Sequence, residues 1–332
     1  TIIYVMRIKI IQKMIDSVRG KTRIDVSNPK LAFNEKFIYS KEDAEDIISS
    51  AILTDKPVLI SRFGTVELET VRQFLRHRHE KQIFDPYQKD YMESTPGFFP
   101  ANDYNMVKFA CEQIEVTKQV DILGVRVERF EEEMCNRYLK ENAKLVHIDH
   151  LSCPMIHKNT WTQHLRGKKV LVIHPFENSI KLQYNKRELL HANKAALPEF
   201  ELITFKPVQG IGDSKYDLKY KTWFEALEDM KSQISGIDFD IALIGAGAYG
   251  MFLGAHCKAL GKQAVHMGGA LQLLFGIKGK RWDPCGFYNE HWIRPATGKH
   301  LKVLKSLSME LLLTGRHLNN GLILWQEIFF KK

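Results

Sequence analysis

The sequence lacks the features of several protein classes. Its five cysteines form no C-x-x-C pair and are widely spaced, which argues against a zinc finger or a disulfide framework and favours a reducing compartment. It contains no apolar run of about 18 residues, so no transmembrane helix is expected. The opening residues 1–15 are apolar but are interrupted by basic side chains and lack a cleavage site, which argues against a signal peptide.

Familiar catalytic motifs are also missing. The chain has no G-x-S-x-G turn, no P-loop and no H-E-x-x-H pair. Hydrolase, nucleotide-triphosphatase and zinc-protease interpretations therefore have no motif to support them.

The formal net charge of +9 is concentrated at the two ends of the chain. Residues 1–25 carry six basic and two acidic side chains, residues 278–332 carry ten and four, and the part between them is nearly neutral. Leucines follow a helical spacing in the C-terminal part, at Leu301, Leu304, Leu307 and Leu311. Basic amphipathic ends of this kind fit either peripheral contact with an anionic membrane or a solvated helix face packed on the body. No basic, groove-sized module indicates nucleic-acid binding.

Short apolar runs alternate with amphipathic segments along the middle of the chain. Strands are predicted at 58–62, 121–125, 145–148, 169–173, 200–205, 239–244 and 263–267. Helices are predicted at 43–53, 66–76, 128–139, 179–192, 220–234 and 249–260, and a long loop at 80–105. The alternation predicts an α/β fold, a Rossmann-like and mostly parallel sheet with helices on both faces. We expect a basic segment over 1–39, one domain over 40–295 and a basic, partly helical tail over 296–332.

Four of the predicted strands end in residues that suit ligand binding. They are followed by Arg62-Phe63-Gly64, His174-Pro175, Gly245-Ala246-Gly247 and His266-Met267-Gly268-Gly269. Ligands of such sheets bind beyond the carboxyl ends of the strands. The sequence therefore predicts that these segments share one site.

The turn between one predicted strand and helix reads G-x-G-x-x-G, with Gly245, Gly247 and Gly250 and with Tyr249 before the last glycine. Such a turn lets backbone N–H groups approach a diphosphate, in either NAD or a nucleotide-sugar. The next strand ends at His266 and lacks the acid that holds the ribose of a dinucleotide. The alternative is that the glycines only let helix and strand pack closely.

A basic and an acidic side chain, Arg62 and Glu67, follow each other closely at the end of the first predicted strand. Arg62 suits a phosphate, and Glu67 suits a metal ion or a general base. Glu67 also fits an ordinary acid in the first turn of a helix.

Further candidates follow the other strands. His174 and His266 would contact a sugar or ribose, and Gly268 and Gly269 a second phosphate. Lys278 and Arg281, on a basic loop with Lys280 and Trp282, would neutralise a leaving diphosphate. A solvated charged loop is the alternative for these last residues.

The R-F-G-x-x-E pattern, together with the late glycine turn and G-K-Q-A-V-H-M-G-G, resembles the GT-D glycosyltransferases and their R-F-G-D-G-E signature. The resemblance covers roughly residues 40–295. It implies a Rossmann-like domain, a UDP-sugar donor and a divalent metal such as manganese or magnesium. Arg62, Gly64 and Glu67 would be donor-site residues, with the glycine turn at the nucleotide. Thr65 stands where the family has its first acid, which weakens the implied metal site.

The sequence therefore predicts a glycosyltransferase that moves a sugar from a nucleotide-sugar, with UDP expected, to a glycan or glycoprotein acceptor in surface polysaccharide or capsule assembly. We expect Glu67 and His174 to be catalytic and the location to be cytoplasmic, at the inner face of the membrane. Two alternatives stay open: an NAD(P)-dependent oxidoreductase that uses the glycine turn, and a non-catalytic partner in glycan assembly.

Overall fold

The computed structural model describes residues 32–33, 36–128, 130–210 and 219–295. The described residues up to Ile293 belong to one compact unit, and the boundary with a second unit lies before Arg294. Most of the basic N-terminal segment and the tail with its spaced leucines lie outside the described residues; only the two short strands named below belong to the former. The predicted membrane contact concerns these two parts and therefore also falls outside the described residues. Of the helices within the described ranges, none is long and apolar enough to cross a membrane.

The described residues form one nine-stranded sheet in the order β1-β2-β5-β4-β3-β9-β8-β6-β7. All neighbouring strands from β2 to β7 across this sheet are parallel, and β1 pairs antiparallel with β2. The strands are β1 (Ala32–Phe33), β2 (Lys36–Tyr39), β3 (Val58–Arg62), β4 (Ile122–Val125), β5 (Lys144–His147), β6 (Lys169–Ile173), β7 (Glu201–Phe205), β8 (Ile241–Ile244) and β9 (Gln263–His266). The predicted α/β, Rossmann-like sheet is confirmed.

Helices connect the strands, together with short 3₁₀ turns. Within the described ranges the helices are α1 (Lys41–Leu53), α2 (Thr65–His77), α3 (Pro86–Ser94), α4 (Asp103–Thr117), α5 (Glu131–Tyr138), α6 (Asp149–Ser152), α7 (Glu177–Tyr184), α8 (Arg187–Leu190), α9 (Trp223–Ser235), α10 (Gly250–Ala259) and α11 (Leu271–Leu274).

The expected long loop at 80–105 is wrong, because it contains α3 and the start of α4. Pro86 takes the first helical position, where its missing N–H costs nothing, and the Asp85 side chain caps the helix by accepting from the Gln88 N–H. A proline that looks like a helix breaker is here the beginning of a helix. The helix predicted from 128 also begins later, at Glu131, which leaves residues 126–128 and Phe130 outside helix and strand.

Each face of the sheet has its own apolar layer. One layer packs α2, α4, α9 and α10 on the sheet, and the other packs α1, α7 and α11 on the opposite face. Along β3 the side chains alternate between the layers, with Leu59 in the first and Val58 and Ile60 in the second. The two layers place the chain that follows β3 and the chain that follows β9 on opposite faces.

Candidate functional site

The four strand ends singled out in the sequence lie side by side. Strands β3, β9, β8 and β6 are consecutive in the sheet, so their parallel carboxyl ends share one edge. After β3 the chain enters α2 on one face, and after β9 it enters α11 on the other. Adjacent strands whose connections leave to opposite faces open a crevice where α/β proteins bind ligands. We call this place between the ends of β3 and β9 the switch crevice.

Arg62, the last residue of β3, reaches across the crevice to the turn after β9. Its Nε and Nη2 donate to the carbonyl of Phe63 at 2.9 and 2.5 Å. Its Nη1 lies beside Gly268, where a Cβ would come within 2.7 Å of that nitrogen. Gly268 also has φ +66°, a conformation that favours glycine. Position 268 therefore needs glycine for two reasons: its positive φ, and the space that the guanidinium of Arg62 takes beside it.

The loop after β4 adds residues that were not predicted. Glu131 is buried, and its Oε2 accepts the backbone N–H groups of Arg126 at 3.0 Å and of Glu128 at 2.9 Å. Val127 and Phe130 have φ of 61° and 78°, a conformation that is costly for such side chains. Strained backbone held by a buried carboxyl is often found at functional sites. The charged run from 126 to 133 reads as a helix start, and no local signal marks the loop.

Three arginines approach one another at this edge. Burial of the guanidinium and repulsion from Arg126 lower the pKa of Arg62 to about 10, against the attraction of nearby glutamates. Burial and the same Arg126 lower the pKa of Arg281. Arg281 also lies close to the turn after β9, because a Cβ on Gly269 would come within 3.3 Å of its Nη2. Arg126 therefore lies close enough to both predicted residues, Arg62 and Arg281, for its charge to lower their pKa values.

Glu67 lies at the third position of α2, and its carboxyl group folds back over Gly64, where a Cβ would overlap it. Burial raises the pKa of Glu67, against its own backbone N–H and the charges of Arg62 and Arg126. A carboxylate with a raised pKa is a stronger base. The geometry keeps Glu67 next to the arginines of the crevice.

A carboxylate from the loop after β4, that of Glu128, lies next to Thr65. The Thr65 hydroxyl donates to Glu128 Oε2 at 3.0 Å, and Arg126 Nη1 donates to the same hydroxyl at 3.3 Å. Arg126 Nη1 also lies 3.4 Å from Glu128 Oε1. The residues around Glu67 do not fit the divalent metal that the resemblance implies, since the described residues place no second and third ligand beside it and the charges of Arg62 and Arg126 would repel a cation. They favour an anion.

The glycine turn after β8 is closed by its own structure. The N–H groups of Gly245, Ala248 and Tyr249 donate to the carbonyls of Ile173, Pro96 and Ala246. Added Cβ atoms would overlap the Pro96 carbonyl at Gly247 and the His266 ring at Gly250, and at Gly245 would come within 2.6 Å of the Gly268 carbonyl.

The side chain of Tyr249 is also unavailable from solvent. It is buried and stacks on Trp223, with ring centroids 4.7 Å apart. The geometry of the turn therefore agrees with close packing, the alternative left open by the sequence, because protein carbonyls accept the N–H groups of Gly245, Ala248, Tyr249 and Gly250.

His174 and His266 are present at the edge but lie beneath its surface. His266 is 5% exposed, and its Nδ1 lies 3.0 Å from Ser61 Oγ. His174 is 3% exposed, and its Nδ1 accepts the N–H of Phe176 at 3.1 Å. Burial lowers the pKa of both imidazoles to about 3. Both rings are neutral at physiological pH, and their contacts suit a positioning role better than proton transfer.

Lys278 lies farther along the chain after β9, with its Nζ 5.7 Å from the ring centroid of Tyr288. Its backbone N–H donates to Ile293. Arg281, by contrast, stacks over Trp282 at 4.5 Å and points towards Gly269. The contacts of the basic loop bring Arg281, and not Lys278, to the crevice.

No family model and no curated protein matches the chain. Two solved structures of a domain of unknown function 1792 are similar to it, each with a TM-score of 0.42 and with 81% of this chain and 95% of that chain covered. Their sequence identities are 12% for the selenomethionine-substituted structure and 13% for a structure described as having a distinct glycosyltransferase fold. At this distance neither similarity assigns a donor, an acceptor or the role of any residue.

Proposed function

We propose that this chain is a glycosyltransferase that binds the diphosphate of a nucleotide-sugar in the switch crevice. The observation that carries the proposal is that Arg62 and Arg281 lie beside the neighbouring glycines Gly268 and Gly269 after β9, with Arg126 close enough to act on the charge of both. Guanidinium groups that repel one another are stabilised by a shared anion. Arg62 donates to the Phe63 carbonyl from Nε and Nη2 and would offer Nη1 to a phosphate oxygen. A diphosphate carries enough charge to contact more than one of them.

The same residues would assist the reaction. As the bond between sugar and diphosphate breaks, negative charge grows on the leaving diphosphate, and fixed guanidinium groups stabilise that charge. Glu67, with its raised pKa, would accept the proton of the acceptor hydroxyl. Arg281 and Trp282 lie on the exposed segment after β9, so they are placed to cover a bound nucleotide. His174 and His266 would hold the crevice in shape from beneath.

The finer identity of the reaction rests on the sequence resemblance. It favours a UDP-sugar donor, a glycan or glycoprotein acceptor and a role in surface polysaccharide assembly at the inner face of the membrane. The oxidoreductase alternative has less support, because four N–H groups of the glycine turn donate to protein carbonyls and β9 ends at His266 without an acid.

A thermal-shift screen against UDP, GDP, CMP, NAD and NADP, each with and without manganese, tests the proposal. A ligand that binds only the folded chain raises its melting temperature by mass action. We expect stabilisation by one nucleoside diphosphate, UDP first, without a need for manganese. Stabilisation by NAD or NADP alone would overturn the proposal. Donor binding without transfer or donor hydrolysis would instead support the non-catalytic alternative.

A further inference from the structure

A second group of chemically reactive side chains lies outside the switch crevice. Glu45 on α1 and His150 on α6 are both buried, and Glu45 Oε1 lies 2.7 Å from His150 Nδ1. His157 stacks on His150 with ring centroids 4.2 Å apart, and its Nε2 lies 3.8 Å from the same carboxylate oxygen. One ligand atom from each residue falls within 4.8 Å of the others.

One nitrogen of this group is buried without a hydrogen-bond partner. His157 Nε2 is buried and has no hydrogen-bond partner. The ring also interacts with the backbone of Asp149, and we assign its proton to Nδ1 because Nε2 has no partner. An imidazole that donates from Nδ1 carries a lone pair on Nε2. That lone pair faces a carboxylate oxygen, so two electron-rich atoms meet in a buried place and a cation between them would satisfy both.

The second oxygen of Glu45 is fixed by the fold. Glu45 Oε2 accepts the backbone N–H of Trp161 at 2.7 Å, and the indole of Trp161 donates to the carbonyl of His150. Metal-binding carboxylates and imidazoles are commonly oriented by such outer hydrogen bonds. Here the bonds direct Glu45 Oε1 towards the two histidines.

We propose that Glu45, His150 and His157 bind one divalent cation of the zinc type. Two imidazoles and one carboxylate are a common protein ligand set for zinc, and imidazole nitrogen selects zinc, cobalt or nickel over magnesium and calcium. Bonds of about 2.0–2.1 Å place tetrahedral ligand atoms roughly 3.3 Å apart. The two Glu45 distances, 2.7 and 3.8 Å, would change by about 0.6 and 0.5 Å, and the two imidazole nitrogens, which lie within 4.8 Å, would approach each other by up to about 1.5 Å.

The cation would keep a coordination position open to a cleft. The cleft has a volume of about 470 Å³ and is lined by all three residues, with Asp46, Asp149 and Lys158 at its wall. It lies at the carboxyl end of β5, two strands away from β3, which is about 10 Å along the sheet. The site is therefore separate from the switch crevice, and its failure would leave the proposed donor site untouched.

Cobalt(II) titration of the chelator-treated full chain, followed by visible absorbance, tests the site directly, and zinc affinity follows from competition. We expect one cobalt ion per chain, displaced by zinc. His157→Ala should weaken binding by on the order of 100-fold or more, because it removes a ligand. His164→Ala is the matched control, since this half-buried histidine lies outside the cluster, and it should bind as the wild type does.

Two results would overturn the proposal: a wild-type chain that takes up no stoichiometric cobalt, or a His157→Ala chain that binds it as tightly as the wild type. His157 is 22% exposed at its side chain and its Nε2 is unpaired, so the alanine variant should fold, which circular dichroism checks. Glu45→Gln, which keeps the shape and removes the charge, gives a second measurement and should also lose the ion. If that variant does not fold, the wild-type stoichiometry still decides.

Discussion

The carboxyl group of Glu67 occupies the space that a side chain on Gly64 would need, so only glycine at position 64 lets Glu67 fold back over the start of α2. The fold thereby holds an enclosed carboxylate next to Arg62 and Arg126, whose charges partly offset the cost of burying it. This arrangement places the proposed base within five positions of Arg62, and the loop after β4 brings Arg126 to the same carboxylate.

Glu67→Gln should reduce sugar transfer by on the order of 100-fold while leaving donor binding nearly unchanged, because the amide keeps the shape but cannot accept the proton. In the wild type the base works only when ionised. Since the pKa of Glu67 is raised, activity should fall as the pH drops through a value above that of an ordinary glutamate. Transfer rates across a pH series, with nucleotide affinity measured in parallel, check both statements. Equal rates in the variant and the wild type would remove Glu67 from the chemistry.

Arg62→Lys should weaken nucleoside diphosphate binding by roughly 10- to 100-fold, because lysine keeps the charge but cannot donate to the Phe63 carbonyl from one side and to a phosphate oxygen from the other. Arg137→Lys is the control: Arg137 is exposed, pairs with Glu133 on α5 and should bind as the wild type does. Calorimetric titration with UDP compares the three chains. If the Arg62→Lys chain binds UDP as tightly as the wild type and the Arg137→Lys control do, the diphosphate does not lie in the switch crevice.

Glu131 should make stability depend on pH. Burial raises the pKa of its carboxyl group from 4.5 to about 7, so the folded state favours the protonated form. The resulting stability is fully present below pH 4.5 and is lost as the pH rises through about 7. Glu131→Gln can still accept both N–H bonds and carries no charge. Relative to the wild type, its free energy of unfolding should therefore rise across this window, by up to about 3 kcal/mol.

Urea unfolding of both chains at pH 4.5 and at pH 8 measures this difference. Glu133→Gln, on the exposed side of the same helix, is the control and should differ from the wild type by no more than about 0.5 kcal/mol at either pH. A constant difference between Glu131→Gln and the wild type would mean that the Glu131 carboxyl group titrates normally.

Gly250→Ala should destabilise the fold by about 1–3 kcal/mol, because the added methyl group would overlap the buried His266 ring. Gly236→Ala, at the end of α9, meets its nearest atom at 3.6 Å and should change stability by less than about 0.5 kcal/mol. Thermal unfolding measures both. If the glycine turn serves packing, Gly250→Ala should keep the UDP affinity of the wild type wherever it is folded. A selective loss of affinity would return the turn to the nucleotide.

The sequence predicted the elements of the site better than their arrangement. Apolar runs and glycine turns mark the strand ends, because parallel strands buried on both faces need such runs. That Arg62 meets the turn at Gly268 depends on the pairing of β3 with β9, which no local pattern records. Arg126 and Glu128 were missed because their loop is shaped by the buried Glu131 and by left-handed backbone, and the sequence alone reads as helix.

The central pairing of β3 with β9 also has a consequence for how the molecule is made. The contact between Ser61 and His266 joins residues 205 positions apart, and Arg62 meets Gly268 over a similar separation. Contacts of such long range are slow to form, since closing a long loop of chain costs more entropy. On a ribosome the crevice cannot exist until β9 has emerged. A chain released early would hold every residue of β3 and α2 and still have no site, so premature termination yields inert fragments rather than partially active ones.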